Sequence, residues 1–276
     1  NNIPVLLSNG RMSMKSYSSY KKFNFFLKEI FTRLNKVLAQ SEPHAERFKD
    51  LGVKSGAIQV TGTVKFDLIP TSAKSNTNLD SFIKTKNIIA VSTHHGEDEI
   101  ILRAFIEVLT HFPNIKLIIV PRHPERAAAI YKLADKKNIS ACIESEGIDT
   151  KSSILIINSI GKTSVLYEST EAAFVGGSLV ERGGHNIIEA AFFACPIIIG
   201  PHMFNFESIA EEFRNNASCK VVHDSKSLAN EFINLLANKD EALMMTEAAS
   251  KILVRNSGAS DRQLSVIMDF LEGANE

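Results

Sequence analysis

The residues with the most chemical content fall in one stretch, VGGSLVERGGHNIIEA at 175–190. Gly176, Gly177, Gly183 and Gly184 leave backbone N–H groups bare after a short apolar run and before a helical pattern, a setting that suits an anion. Ser178 adds a hydroxyl. Asn186 and Glu189 stand three apart, the spacing of a capping box with Asn where Ser or Thr is usual, so a plain helix start accounts for both without a ligand. A pocket in which a phosphate or a sugar lies against the main chain accounts for them equally, and both readings stay open at this point.

Three further loops follow apolar runs. After KLIIV comes PRHPER, 121–126, where Arg122 and His123 sit between two prolines. A guanidinium fork there can bind two phosphate oxygens at once, or simply be a solvated surface charge. Arg126 is expected in the first turn of the following helix with its head in solvent. After NIIAVS comes THHGEDE, where Ser92, Thr93 and Gly96 precede an acidic first turn. That pattern fits a helix N-terminus close to a ligand, or merely a well-capped helix. His94, His95 and Glu97 lack the spacing of metal ligands and HExxH is absent, so no metal is expected. GPHMFNF, 200–206, holds His202 and Asn205 between Pro201 and two phenylalanines. There is no GxGxxG turn, no P-loop and no GxSxG elbow. The GKT in INSIGKTS lacks the preceding glycine of a P-loop and reads as a chance match.

The elements that must position these loops are short β-branched runs at 4–8, 36–39, 57–61, 87–92, 116–120, 153–157, 172–175 and 196–199. Amphipathic stretches at 97–110 and 124–137 lie between some of them, and 225–237, 240–256 and 260–272 are helical. Strand, helix, strand at this spacing predicts an α/β fold with doubly wound parallel sheets, whose ligands bind outside the carboxyl ends of the strands. PTSAKSNTNLDS, 70–81, is linker-like, and the domain boundary is set near residue 63: 1–62, then 63–256, then a C-terminal helix at 257–276. YSSYKKFNFFLKEIFTR, 17–33, mixes Phe23, Phe25, Phe26 and Phe31 with basic residues. It could touch an anionic membrane, but an amphipathic helix packed on its own sheet is the preferred reading.

Composition narrows the class. Apolar residues at 44% allow a sizeable core, and 31 basic residues against 31 acidic ones give no field that points to nucleic acid. Cys142, Cys195 and Cys219 are far apart and read as small buried hydrophobes of a reducing compartment. No apolar run approaches the roughly 18 residues of a membrane span. The chain opens on NNIPVLLSNG, already a strand pattern.

SNGRMS (8–13), LAQSEPHAERF (38–48), VTGTVKFD (60–67), STHHGEDEI (92–100), PRHPER (121–126), FVGGSLVERGGHNIIEAA (174–191) and GPHMFNF (200–206) occur in the order seen in 3-deoxy-D-manno-octulosonic acid (Kdo) transferases, which the chain resembles. The resemblance implies a GT-B glycosyltransferase with two Rossmann-like lobes, the C-terminal one holding CMP-Kdo. Kdo would pass to lipid IVA with inversion, without a metal or cofactor, at the cytoplasmic face of the bacterial inner membrane, which the enzyme would touch peripherally. It further implies that Arg122 meets the CMP phosphate, that the loop 176–186 lies under the nucleotide, and that Glu189 binds the ribose hydroxyls. Ser92, Thr93, His123, His202 and Asn205 would complete the donor site, with Arg11 and Lys65 as acceptor-lobe candidates. Family members are longer at the N-terminus, so the chain is expected to begin inside the acceptor lobe. The membrane anchor, most of the acceptor site and the acidic general base would lie in the missing part. The family's GDTMGEL reads here as INSIGKT, with Asn158 for its Asp and Lys162 for its Glu. Another GT-B enzyme acting on a UDP-sugar, or a nucleotide-binding remnant without activity, remains the alternative.

Overall fold

The computed structural model describes residues 3–68 and 77–273 and divides into two compact units. One unit takes residues up to 69 together with those from Val254 on; the other takes the rest.

The first unit contains β1 (Leu6–Gly10), α1 (Met14–Lys22), α2 (Asn24–Thr32), β2 (Lys36–Ala39), α3 (Glu42–Asp50) and β3 (Ile58–Val60). Its strands form a parallel sheet in the order β1-β2-β3, packed on a small core of Met12, Val37, Phe48, Leu51 and Val53. The single helix expected over 17–33 is two helices that meet at Phe23. Among the described residues of this segment only Tyr17 and Phe31 pack against the core, while Phe25 and Phe26 are 91% and 76% exposed. The preferred reading of a helix packed on its own sheet thus holds for Tyr17 and Phe31, while Phe25 and Phe26 of α2 are not buried.

The second unit runs through α4 (Thr77–Ile83), β4 (Asn87–Thr93), α5 (Glu97–His111), β5 (Lys116–Pro121), α6 (Ala127–Lys136), β6 (Ala141–Ile143) and β7 (Ile154–Ile156). It continues with α7 (Thr163–Glu168), β8 (Ala173–Val175), α8 (Ile188–Phe192), β9 (Ile197–Ile199), α9 (Glu207–Asn215), β10 (Lys220–Val221), α10 (Ser225–Ala237) and α11 (Lys239–Asn256) as far as Leu253. The seven strands are parallel in the order β10-β9-β8-β4-β5-β7-β6. Helices on both faces explain why β7, β8 and β9 are apolar at every position and fully buried. The chain leaves β4 through β5 in one direction and returns to β8 on β4's other side, so the topological switch point lies between β4 and β8. The edge strands β6 and β10 escape sequence reasoning because three and two residues carry no readable alternation.

The last helix, α12 (Ala259–Gly273), belongs to the first unit and not to a segment of its own. Gln263 Oε1 accepts from Ser8 Oγ at 2.7 Å and from Asn9 N at 3.1 Å, and Arg262 Nε donates to the Thr61 carbonyl at 3.0 Å. Asp67 accepts from the amides of Gly258 and Ser260, both at 2.6 Å. These bonds also carry 63–67 with the first unit, past the boundary expected at residue 63. The linker expected at 70–81 lies outside the described residues as far as 76, and the rest of it enters α4.

Candidate donor-binding site

Four loops emerge from the carboxyl ends of β4, β5, β8 and β9, as expected, and a fifth follows β7. The loop 176–187 is held by a residue from the start of α5. Glu97, at the first position of α5 and 0% exposed, accepts from four backbone amides: His94 at 2.8 Å, Gly177 at 2.7 Å, and Ser178 and Leu179 at 3.0 Å each. Burial pushes the Glu97 carboxyl up from its ordinary value, and the four N–H groups oppose that shift by solvating the charged form. The anion at the bare backbone is thus an internal one.

The glycines make room for the protein itself. A Cβ on Gly176 would lie 2.7 Å from the Ser92 carbonyl oxygen, and one on Gly177 would lie 3.0 Å from the His185 ring. At Gly183 it would meet the Asn205 amide at 2.3 Å, and at Gly184 the Met203 sulfur at 2.1 Å. Ser178 is buried, its hydroxyl donating to the Val175 carbonyl at 2.5 Å and accepting from Gly200 N at 2.8 Å. Gly176, Gly177, Ser178, Gly183 and Gly184, expected to lie under the nucleotide, are packed against neighbouring loops of the protein itself. Asn205 bridges two loops, with Nδ2 on the Arg182 carbonyl at 2.9 Å and its own N–H on that of Gly183 at 2.9 Å. His202 is tied by its N–H to the Ser178 carbonyl at 2.9 Å.

Thr93 also turns inward. Its hydroxyl donates to Asp98 at 3.0 Å, and its carbonyl accepts from Arg122 N at 3.0 Å and from Arg126 Nη1 at 2.6 Å. Arg126 forms an ion pair with the buried Asp98, so its head is not in solvent as expected. The capping box at 186–189 is absent: Asn186 Oδ1 accepts from Ile188 N at 3.2 Å, two residues on, and Ile187 is the N-cap of α8. Glu189 instead accepts from Thr163 Oγ1 at 2.8 Å.

Three imidazoles meet at the switch point. His94 Nε2 and His185 Nε2 are 2.8 Å apart with parallel rings, and the His123 ring stands edge-on to His94 at 5.8 Å. Burial first, then His185, His123 and nearby arginines, push His94 down to about 4. Both rings are accordingly neutral at pH 7, one Nε2–H donating to the other. Exposed His123 lies 3.8 Å from Glu125.

What remains is a cleft of about 220 Å³ at the ends of β4, β5 and β7, lined by Ser92, Arg122, Gly161, Lys162, Thr163 and Glu189 among others. Of the predicted site residues it gathers Ser92, Arg122 and Glu189, leaving His123, Asn186, His202 and Asn205 outside its lining. Sequence reasoning missed Gly161, Lys162 and Thr163, the GKT set aside as chance. The Arg122 guanidinium makes no ion pair among the described residues and is exposed. The cleft can therefore offer a guanidinium to a phosphate and a carboxylate oxygen to a hydroxyl pair. Among the described residues no group of three or more His, Cys, Asp or Glu side chains is placed to hold a metal ion. All three cysteines are free and buried, and among the described residues no helix is long and apolar enough to cross a membrane.

In the first unit, Arg11 lines an apolar cavity of about 360 Å³ with Tyr20, Ile30, Phe31 and Phe48. Lys65 sits on the turn Val64–Phe66, its pKa lowered by burial and then by Arg11.

The fold is of the GT-B class, and residues 75–252 match the model of the family described as glycosyl transferases group 1, to which the chain belongs. Residues 1–68 match the model of the 3-deoxy-D-manno-octulosonic-acid transferases. The Kdo transferase of Haemophilus influenzae is 32% identical over 98% of the chain and 65% of its own length; that of Rickettsia felis is 31% identical over 97% and 58%. The chain thus spans about 58–65% of the length of these relatives. The crystal structure of the C-terminal CMP-Kdo binding domain of WaaA from Acinetobacter baumannii superposes with a TM-score of 0.60 at 28% identity, covering 64% of the chain and 93% of that domain. A UDP-GlcNAc 2-epimerase from Neisseria meningitidis, TM-score 0.56 at 14% identity over 98% of the chain and 70% of its own, shares the fold.

Proposed function

We propose that the chain carries the donor-binding part of a Kdo transferase, which passes Kdo from CMP-Kdo to lipid IVA with inversion and without a metal or cofactor. The observation that carries this reading is the cleft, lined by Arg122 on the loop after β5 and by Glu189 in the first turn of α8. Arg122 takes the CMP phosphate. Glu189 accepts from the ribose hydroxyls with the lone pairs that Thr163 leaves unused. In the transfer, an acceptor hydroxyl forms the new bond to the anomeric carbon of Kdo. The bond from that carbon to the phosphate oxygen breaks, CMP leaves with the electron pair, and a general base takes the proton. No residue of this chain is assigned as that base. Support comes from the 28% identity to a CMP-Kdo binding domain and from the match of residues 1–68.

Arg11 and Lys65 are proposed to face the anionic acceptor. Contact with the anionic inner-membrane surface is proposed for α2 and the end of α1, where Phe25, Phe26 and Ile30 are exposed and Lys22 and Lys28 supply positive charge. Co-sedimentation with vesicles containing anionic lipid should fall several-fold in Phe25→Asp/Phe26→Asp; equal sedimentation would remove α2 from the membrane reading.

The nucleotide reading is tested by calorimetric titration with CMP against UMP and UDP. CMP is expected to bind selectively, and Glu189→Ala to weaken it about tenfold to a hundredfold, the worth of hydrogen bonds to a charged group. Stability should change by no more than about 1 kcal/mol, since one hydroxyl bond from Thr163 is lost. Preference for UDP would move the assignment to a different sugar nucleotide, and unchanged CMP affinity in the variant would remove Glu189 from the site.

A further inference from the structure

We propose that Lys162 is a second cation for the phosphate of the donor nucleotide, forming a two-armed clamp with Arg122, and is thereby a specificity-determining residue of the cleft. This inference rests on the nucleotide-binding reading above. Lys162 lines the same cleft as Arg122 and Glu189, on the loop between β7 and α7. Its ammonium is ion-paired with Glu144, whose side chain is only 7% exposed. The other oxygen of Glu144 accepts from Ser159 Oγ at 2.7 Å. The carboxylate is thus fixed from both sides and acts as a tether. It takes one of the three protons of the ammonium and leaves two for a ligand.

The loop has room to admit one. Gly161, at φ 85, has nothing within 4 Å of where a Cβ would stand, and Ile160, also in the lining, is 90% exposed. The two cations are differently equipped. Arg122 makes no ion pair among the described residues, so it supplies the net positive charge that draws an anion in. The charge of Lys162 is already matched by Glu144, so it adds little long-range attraction and acts by hydrogen bonds formed in place. The diester phosphate of CMP-Kdo offers two non-bridging oxygens and the phosphate of free CMP three, in either case more lone pairs than one guanidinium edge satisfies, and the ammonium is a suitable second donor. Glu189, the remaining charged side chain of the lining, is an acceptor and is left to the sugar hydroxyls. A nucleoside without a phosphate has nothing to offer either cation.

The test is calorimetric titration of the 276-residue chain with CMP and with cytidine, for the wild type, Lys162→Met and Lys162→Arg. The expected result is an approximately tenfold loss of CMP affinity in Lys162→Met, the worth of one charge-assisted bond. Cytidine affinity should be unchanged, and Lys162→Arg should keep most of the CMP affinity. Should Lys162→Met misfold because Glu144 is left buried without a partner, the pair Glu144→Gln/Lys162→Met removes both charges together and is expected to show the same selective loss. Equal losses for CMP and cytidine would mean that Lys162 only shapes the loop, and no loss for either would remove it from the site; both outcomes overturn the clamp while leaving the nucleotide reading intact. A wild type that binds no CMP overturns that reading and the clamp with it.

Discussion

Glu97→Ala is expected to lower the stability of the second unit by about 3–5 kcal/mol in urea unfolding, the range for removing one partner of a buried charged network. The carboxylate is fully buried and is the acceptor for the amides of His94, Gly177, Ser178 and Leu179. Without it those N–H groups keep their desolvation cost and lose the compensating bonds. The residue also ties the β4–α5 loop to the β8–α8 loop, so the donor cleft should loosen and CMP binding weaken in parallel. Glu97→Gln is expected to recover only part of the loss, because its amide group presents N–H where an acceptor is needed. An alanine variant within about 0.5 kcal/mol of the wild type, the scatter of ordinary surface substitutions, would mean that water can replace the carboxylate at these amides.

That network shows where sequence reasoning reaches its limit. Four glycines before a helix announce bare backbone, but what fills it is a matter of distant contacts. Glu97 is 80 residues away from Gly177 in sequence. Locally it is one of three acids in the first turn of α5, and the helix dipole accounts for all three. Asn186 and Glu189 have capping-box spacing, yet α8 begins one position too late to use it, and Glu189 is turned to Thr163 instead. Arg126 looks solvated for the same reason: its partner Asp98 is a local acid with a sufficient local explanation. The sheet, in contrast, was legible because runs such as III and ILI must be covered on both faces, which only a parallel α/β arrangement does at this spacing. For Arg122 the sequence leaves a solvated surface charge and a phosphate ligand both open, and the structure adds that the residue lines the cleft. Lys162 is visible in the sequence only as the residue standing where the resembled family has Glu, because its GKT does not fit the P-loop pattern. The topology, by placing β7 next to β5, brings it to the same cleft.

Gly200→Ala is expected to cost about 3 kcal/mol, the upper part of the range for overpacked interiors, and the comparison with Gly161→Ala separates the two reasons a glycine can be required. At Gly200 a Cβ would stand 2.2 Å from the Ser178 carbonyl oxygen and 2.5 Å from Leu179 N, both main-chain atoms. Neither can swing aside as a side chain would. The same contact is pinned by Gly200 N on Ser178 Oγ at 2.8 Å and by His202 N on the Ser178 carbonyl at 2.9 Å. The strand end of β9 and the turn after β8 must therefore separate, and the amides of Ser178 and Leu179 move away from Glu97 when they do. At Gly161 φ is 85, but nothing lies within 4 Å of the added carbon. Only the left-handed backbone is at issue there, worth about 1 kcal/mol. Urea unfolding of both variants should rank Gly200→Ala well below Gly161→Ala, with CMP affinity falling in the first. Equal costs would mean that backbone conformation, and not the close approach of two loops, is what these positions require glycine for.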